Sequence, residues 1–103
     1  MAEKLNSMPC IYILYSRSKN RFYVGSTRDD RPFVRLDSHN HGKVRSTKAG
    51  RPWALTYQEY YSNYHQARKR EIFLKSGVGR TWIKEKFPNL KNDGAGAETW
   101  VSG

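Results

Sequence analysis

The chain has 103 residues, enough for one domain with a single modest core, and its 14% aromatic content argues against disorder. With 19 Lys and Arg against 9 Asp and Glu, the formal charge of +10 favours a polyanionic partner and a steep salt dependence. No membrane-spanning apolar run, no apolar signal centre at the N-terminus and a single cysteine leave a cytoplasmic protein without membrane partner, internal disulfide or Cys/His zinc set as the expectation.

Residues 1–8 read as a short flexible arm. "CIYILYS" (10–16) is β-branched, aromatic and almost continuously apolar, the pattern of a central strand. "RSKN" (17–20) is a turn, and "RFYVGST" (21–27) completes an antiparallel hairpin. Alternation puts Tyr12 on one face with Cys10 and Leu14, and Tyr23 on one face with Gly25. "DDRPFVRLDSHNHG" (29–42) reads as a helix entered through Asp30, with Pro32 in its first turn and Gly42 past its end. Phe33, Leu36 and Asn40 mark its expected packing side, and Arg35 and His39 form an i, i+4 pair pointing the same way.

"GKVRSTKAGR" (42–51) is a polar basic loop. Its Lys43, Arg45, Lys48 and Arg51, interleaved with Ser46 and Thr47, suit phosphate contacts that add affinity without reading sequence. "PWALTYQEYYS" (52–62) is a third strand. Asn63 then caps a helix, with Gln66 placed to complete a capping box and Gly77 to stop it. "GRTWIKEKFPN" (79–89) is a short last helix ended by Pro88. Residues 91–103 change composition and read as a loose tail, while residues 1–90 carry 18 basic against 7 acidic side chains, or +11. The basic body, residues 9–90, is the expected domain. Its order is β-β-α-β-α-α, an α+β fold with a small three-stranded antiparallel sheet flanked by helices.

One residue stands out in this pattern. Tyr64, Ala67, Glu71, Leu74 and Val78 follow helical spacing, which sets the Glu71 carboxylate on the inward apolar stripe. Burying an unpaired carboxylate is costly, so an inward glutamate asks for a partner. Tyr12, Tyr23, Arg35, His39 and Glu71 lie on elements that a compact domain makes neighbours. Phosphodiester hydrolysis needs such a set: an activated water, a counter-charge for the phosphoryl oxygens and help for the leaving alkoxide. A tyrosine, with an ordinary pKa near 10, serves as base only if nearby positive charge stabilises its phenolate.

"CIY…YVG", followed by an arginine and later a glutamate, resembles the GIY-YIG endonuclease domain. The likeness is closest to small single-domain bacterial members related to the nuclease half of the excision-repair endonuclease. It runs from Pro9 to Phe87 and includes "FYVGSTRD", "RLDSHNHG", "STKAGRPWALTY" and "ARKREIFLKSG" in order. The resemblance implies a metal-dependent endonuclease hydrolysing phosphodiester bonds in DNA, with structure-specific cutting of branched, flapped or damaged DNA in repair or recombination as one form of it. It implies one divalent cation, Mg2+ or Mn2+, held by Glu71, with Arg35 bearing the developing phosphoryl charge. Tyr12 and Tyr23 fall on the motif tyrosines, one activating water and the other positioning it, in an order left open. His39 matches a histidine that tunes the tyrosine or contacts phosphate. Cys10 stands where the first motif has glycine. Ser26 stands where the excision-repair relatives carry lysine. The interval from Tyr23 to Arg35 is longer than the family leads one to expect, which keeps Arg31 as a competitor.

The rival reading is a non-catalytic nucleic-acid-binding module on the same fold. RNA as substrate has no discriminating feature, and a small domain of this kind leaves room for a protein partner in substrate selection.

Overall fold

In the computed structural model, which describes residues 8–29 and 31–90, strand β1 (Cys10–Ser16) is buried along its whole length. An apolar strand of this kind needs cover on both faces and neighbours on both edges. Strands β2 (Arg21–Thr27) and β3 (Trp53–Tyr60) supply the edges, each antiparallel to it, in the order β2-β1-β3. The hairpin closes through Asn20 at a φ of 53°, and its side chain accepts a 3.0 Å hydrogen bond from the Tyr15 hydroxyl. A bulge between Ile13 and Leu14 in the pairing with β3 leaves Thr56 without an opposite residue.

Helices cover both faces. Ile11, Ile13, Phe22 and Val24 pack with Ala67 of α2 (Tyr64–Leu74), which follows α1 (Pro32–Asn40), and with Ile83 of α3 (Gly77–Lys86). Tyr12, Leu14, Tyr23 and Trp53 form the opposite cluster, covered by Leu36 of α1. The β-β-α-β-α-α order and the antiparallel sheet are those expected from the sequence. Two polar devices tie the layers. The Asn40 side chain brackets Trp53, accepting from its N–H at 2.6 Å and donating to its carbonyl at 3.0 Å. The Glu59 carboxylate on β3 accepts from Tyr57, from Tyr61 and from Nε and Nη2 of Arg70 on α2.

Several local expectations are corrected. The helix expected over 29–42 spans only Pro32–Asn40, since Pro32 at its first position starts the turn. Arg31, not Asp30, occupies its N-cap without a side-chain cap, and Asp30 lies outside the described residues. Phe33 is 62% exposed, because the buried face follows Pro32, Leu36 and His39, one position round from that expected. The 42–51 loop contains a 3-10 turn (Arg45–Gly50), with Gly42 at φ 76° after α1.

Asn63 accepts from the Gln66 N–H at 2.9 Å, but the Gln66 side chain accepts from Ser62 and so closes no full capping box. Gly77 opens α3 instead of stopping α2. Ser76 caps the new helix by accepting from Gly79 N–H, and the break turns Val78 outward, 69% exposed. The third strand is shorter than 52–62, and the last helix ends at Lys86, before Pro88. The arm, apart from Met8, and the 91–103 tail lie outside the described residues.

Candidate active site

Tyr12 and Gly25 face each other across the β1–β2 pairing. A Cβ on Gly25 would lie 2.5 Å from both Cζ and Oη of Tyr12 and 3.0 Å from the Tyr23 ring. The glycine of "YVG" is therefore the floor on which the Tyr12 phenol rests. Tyr23, two residues earlier on the same strand face, brings its ring centroid to 6.2 Å from that of Tyr12.

Helix α1 crosses this face with Arg35 and His39 one turn apart. His39 is fully buried, with Nε2 3.2 Å from the Tyr12 hydroxyl and Nδ1 2.8 Å from Thr47 Oγ1. Thr47 spends its hydroxyl proton on the Val44 carbonyl, so its oxygen accepts from His39 Nδ1–H. That assigns the tautomer: Nε2 is unprotonated and accepts from Tyr12 O–H. Burial, reinforced by the Arg35 charge, pushes the imidazole down to about 4, which keeps it neutral at neutral pH.

Helix α2 approaches the same strand from the other side of the sheet. Glu71 is 5% exposed. Its Oε1 accepts from Ser26 at 2.6 Å and from Arg68 at 2.9 Å, and its Oε2 accepts from Lys75 at 2.8 Å. Burial alone raises this carboxyl. The hydrogen bonds of Lys75 and Ser26, with the Lys75 and Arg68 charges, outweigh that and hold it below the ordinary carboxylate range. Because Ser26 donates to Glu71, the Tyr64 hydroxyl at 3.1 Å donates to Ser26.

The two sides meet in a cleft of about 230 Å³ lined by Tyr12, Tyr23, Gly25 and Arg35 from one and Ser26, Tyr64, Arg68 and Glu71 from the other. Burial first, then Tyr12 and Glu71, raise the Tyr23 hydroxyl strongly. Burial also raises Tyr12, opposed by the hydrogen bond and charge of Arg35. Both tyrosines are thus neutral O–H groups in the resting protein. The Tyr12 bond in turn raises Arg35, whose Nε has no hydrogen-bond partner among the described residues.

Four of the five residues singled out in the sequence line this cleft, and His39 lies directly behind Tyr12. Arg31 is exposed and pairs with Asp29 at 3.7 Å, so of the two candidates Arg35 is the one that lines the cleft. Lys43, Arg45, Lys48 and Arg51 are exposed on the 42–51 segment and line no part of it. Sequence reasoning missed Ser26, Tyr64 and Thr47. Ser26 carried a signal, since alternation places it opposite Gly25 and toward α2. Thr47 carried none, because its partner is set by tertiary folding.

The donor set admits a metal of one kind. Among the described residues no three His, Cys, Asp or Glu side chains cluster as ligands. A single ionised carboxylate in a polar cleft suits a hard divalent cation that keeps most of its waters, such as magnesium. Glu71 is the one carboxylate of the cleft able to hold the expected cation, which would have to take its oxygens from Arg68 and Lys75.

Residues 8–85 match the family model of the GIY-YIG catalytic domain. The chain is similar to a UPF0213 protein of Staphylococcus haemolyticus, 36% identical over 67 residues that cover 64% of this chain and 78% of the relative. It is also similar to a UPF0213 protein of Staphylococcus aureus, 37% identical over 60 residues, covering 57% and 71% respectively. No solved structure gives a significant match.

Proposed function

The chain belongs to the GIY-YIG catalytic-domain family, and from that premise we propose that it is a metal-dependent endonuclease hydrolysing phosphodiester bonds in DNA. One observation carries the proposal. Tyrosines and an arginine from one face of the sheet, and an ionised glutamate from the other, line a single polar cleft.

The chemistry follows from the hydrogen bonds. A phosphodiester entering the cleft meets Arg35, whose guanidinium stays charged and balances the charge developing on the phosphoryl oxygens. The Tyr12 oxygen takes a proton from the attacking water while its own proton passes to His39 Nε2, 3.2 Å away. The water O–H bond breaks, a new P–O bond forms and the leaving oxygen departs with the electrons of the old one. The buried His39 holds that proton weakly and returns it to the Tyr12 oxygen, whose water-derived proton passes to the leaving alkoxide through solvent, which restores the resting groups. Tyr23 remains protonated and orients the water or a phosphoryl oxygen as a donor. Glu71 would hold Mg2+ or Mn2+, which supplies, when bound, a Lewis acid for the phosphoryl and leaving oxygens.

The non-catalytic alternative is favoured by one feature, the full engagement of the Glu71 carboxylate by Arg68 and Lys75. The two readings separate in one experiment. Labelled linear duplex, single-strand, flap and four-way-junction DNAs are incubated with wild type or Glu71→Ala in magnesium, manganese or EDTA, with binding measured in parallel. Metal-dependent cutting that Glu71→Ala abolishes while binding persists is the expected result. Binding without cutting of any substrate by wild type would refute the nuclease.

A further inference from the structure

A second concavity of about 290 Å³ adjoins the catalytic cleft and shares Ser26, Arg35 and Tyr64 with it, adding Thr27 and Arg28. Its chemistry differs from that of its neighbour. Glu71 lines the first cleft, whereas no carboxylate lines the second. Ser26 and Tyr64 spend their hydroxyl protons toward Glu71 and Thr27 spends its own on Asp29 Oδ1, so the donors left to a ligand are the guanidinium groups of Arg28 and Arg35. Arg28 is held in place: its guanidinium carbon lies 4.1 Å from the centroid of the Tyr64 ring. That contact covers one face of the Tyr64 ring. What remains is a cationic concavity suited to an oxyanion, and Arg35 spans both clefts.

We propose that the Arg28 concavity is a second phosphate subsite, which holds the phosphodiester next to the scissile one and sets the register in which a strand enters the catalytic cleft. This rests on the nuclease reading only in taking the first cleft as the place of cleavage. A phosphate seated between Arg28 and Arg35 brings its neighbour along the strand to Arg35, Tyr12 and Glu71. Charge neutralisation there would act on one specific linkage, unlike the diffuse attraction of surface lysines.

The test is a cleavage ladder. An end-labelled DNA carries one neutral methylphosphonate at a known linkage, and product bands report which neighbouring bonds are still cut. With wild type, the bond on one side of the neutral linkage is expected to be cut about tenfold less than bonds farther away. In Arg28→Gln that local dip disappears, and in Arg28→Lys it is retained in part. A ladder without a dip beside the neutral linkage, or a dip that persists in Arg28→Gln, overturns the subsite while cutting elsewhere leaves the nuclease intact. Should no DNA be cut, the salt dependence of binding decides separately. A slope of log affinity against log salt that is about 1 shallower in Arg28→Gln supports the phosphate contact, and an unchanged slope overturns it.

Discussion

His39 is buried without charge between Tyr12 and Thr47, and this makes folding stability depend on pH in a window of its own. Its pKa is pushed down to about 4 from the ordinary 6.5, so the unfolded chain binds the extra proton more readily than the folded one. Stability is full above about pH 6.5 and is lost as pH falls toward 4, by about 3 kcal/mol in all. Between pH 7 and pH 5 the loss from this group alone is about 2 kcal/mol. The carboxyls of Glu59 and Glu71 are held below their ordinary 4.5, so what they contribute is lost mainly beneath that value, which overlaps the lower end of the His39 window but lies below the comparison of pH 7 with pH 5. Urea unfolding of wild type and His39→Gln at pH 7 and pH 5 reads the effect. The static cost of the substitution cancels, because only the change between the two pH values is compared. Wild type should lose about 2 kcal/mol more than the variant. Equal losses, or a His39 ring proton titrating near 6.5 by NMR, would refute the buried neutral acceptor and the proton path from Tyr12 with it.

Gly25→Ala puts a methyl group where the Tyr12 phenol lies; it should cost about 1–3 kcal/mol in denaturation and at least about a hundredfold in cleavage while DNA binding is kept. Asn40→Ala leaves the N–H and carbonyl of Trp53 without their side-chain partner and should lower stability by about 2 kcal/mol, measured by urea titration. Lys75→Met removes an ammonium group 2.8 Å from Glu71 Oε2, so Mn2+ affinity followed by paramagnetic relaxation should rise about tenfold, and an unchanged affinity would separate Lys75 from the cation. Replacing Lys43, Arg45, Lys48 and Arg51 together by Gln should make the salt dependence of DNA binding shallower by about 3–4 in slope without changing cleavage at saturating DNA.

The parts of the fold that could be read from the sequence are those in which one period decides the outcome. β1 is apolar at almost every position, so a central place in the sheet followed directly. Glu71 could be read as inward from the 3.6-residue period alone. Its partners Arg68 and Lys75 follow from the same helical spacing, but Ser26 does not, because it reaches Glu71 from a different element 45 residues away. Val78 failed because the period was carried past Ser76, where a new helix begins, and Phe33 because the face through Phe33, Leu36 and Asn40 lies one position round from the buried one. His39 could be seen as a candidate but not as a buried acceptor, since that depends on Thr47 being folded back by the 42–51 segment.

The same physics explains why the cleft forms where it does. A sheet covered by α1 on one face and by α2 and α3 on the other keeps the chemistry of its two sides apart everywhere except at an edge. β2 is such an edge. At Gly25 it lacks a side chain, so the Tyr12 and Tyr23 hydroxyls and Arg35 from one face open onto the same space as Ser26, Tyr64 and Glu71 from the other. Here the edge position is what lets a neutral tyrosine pair and an ionised glutamate, which need opposite environments, open onto one cleft.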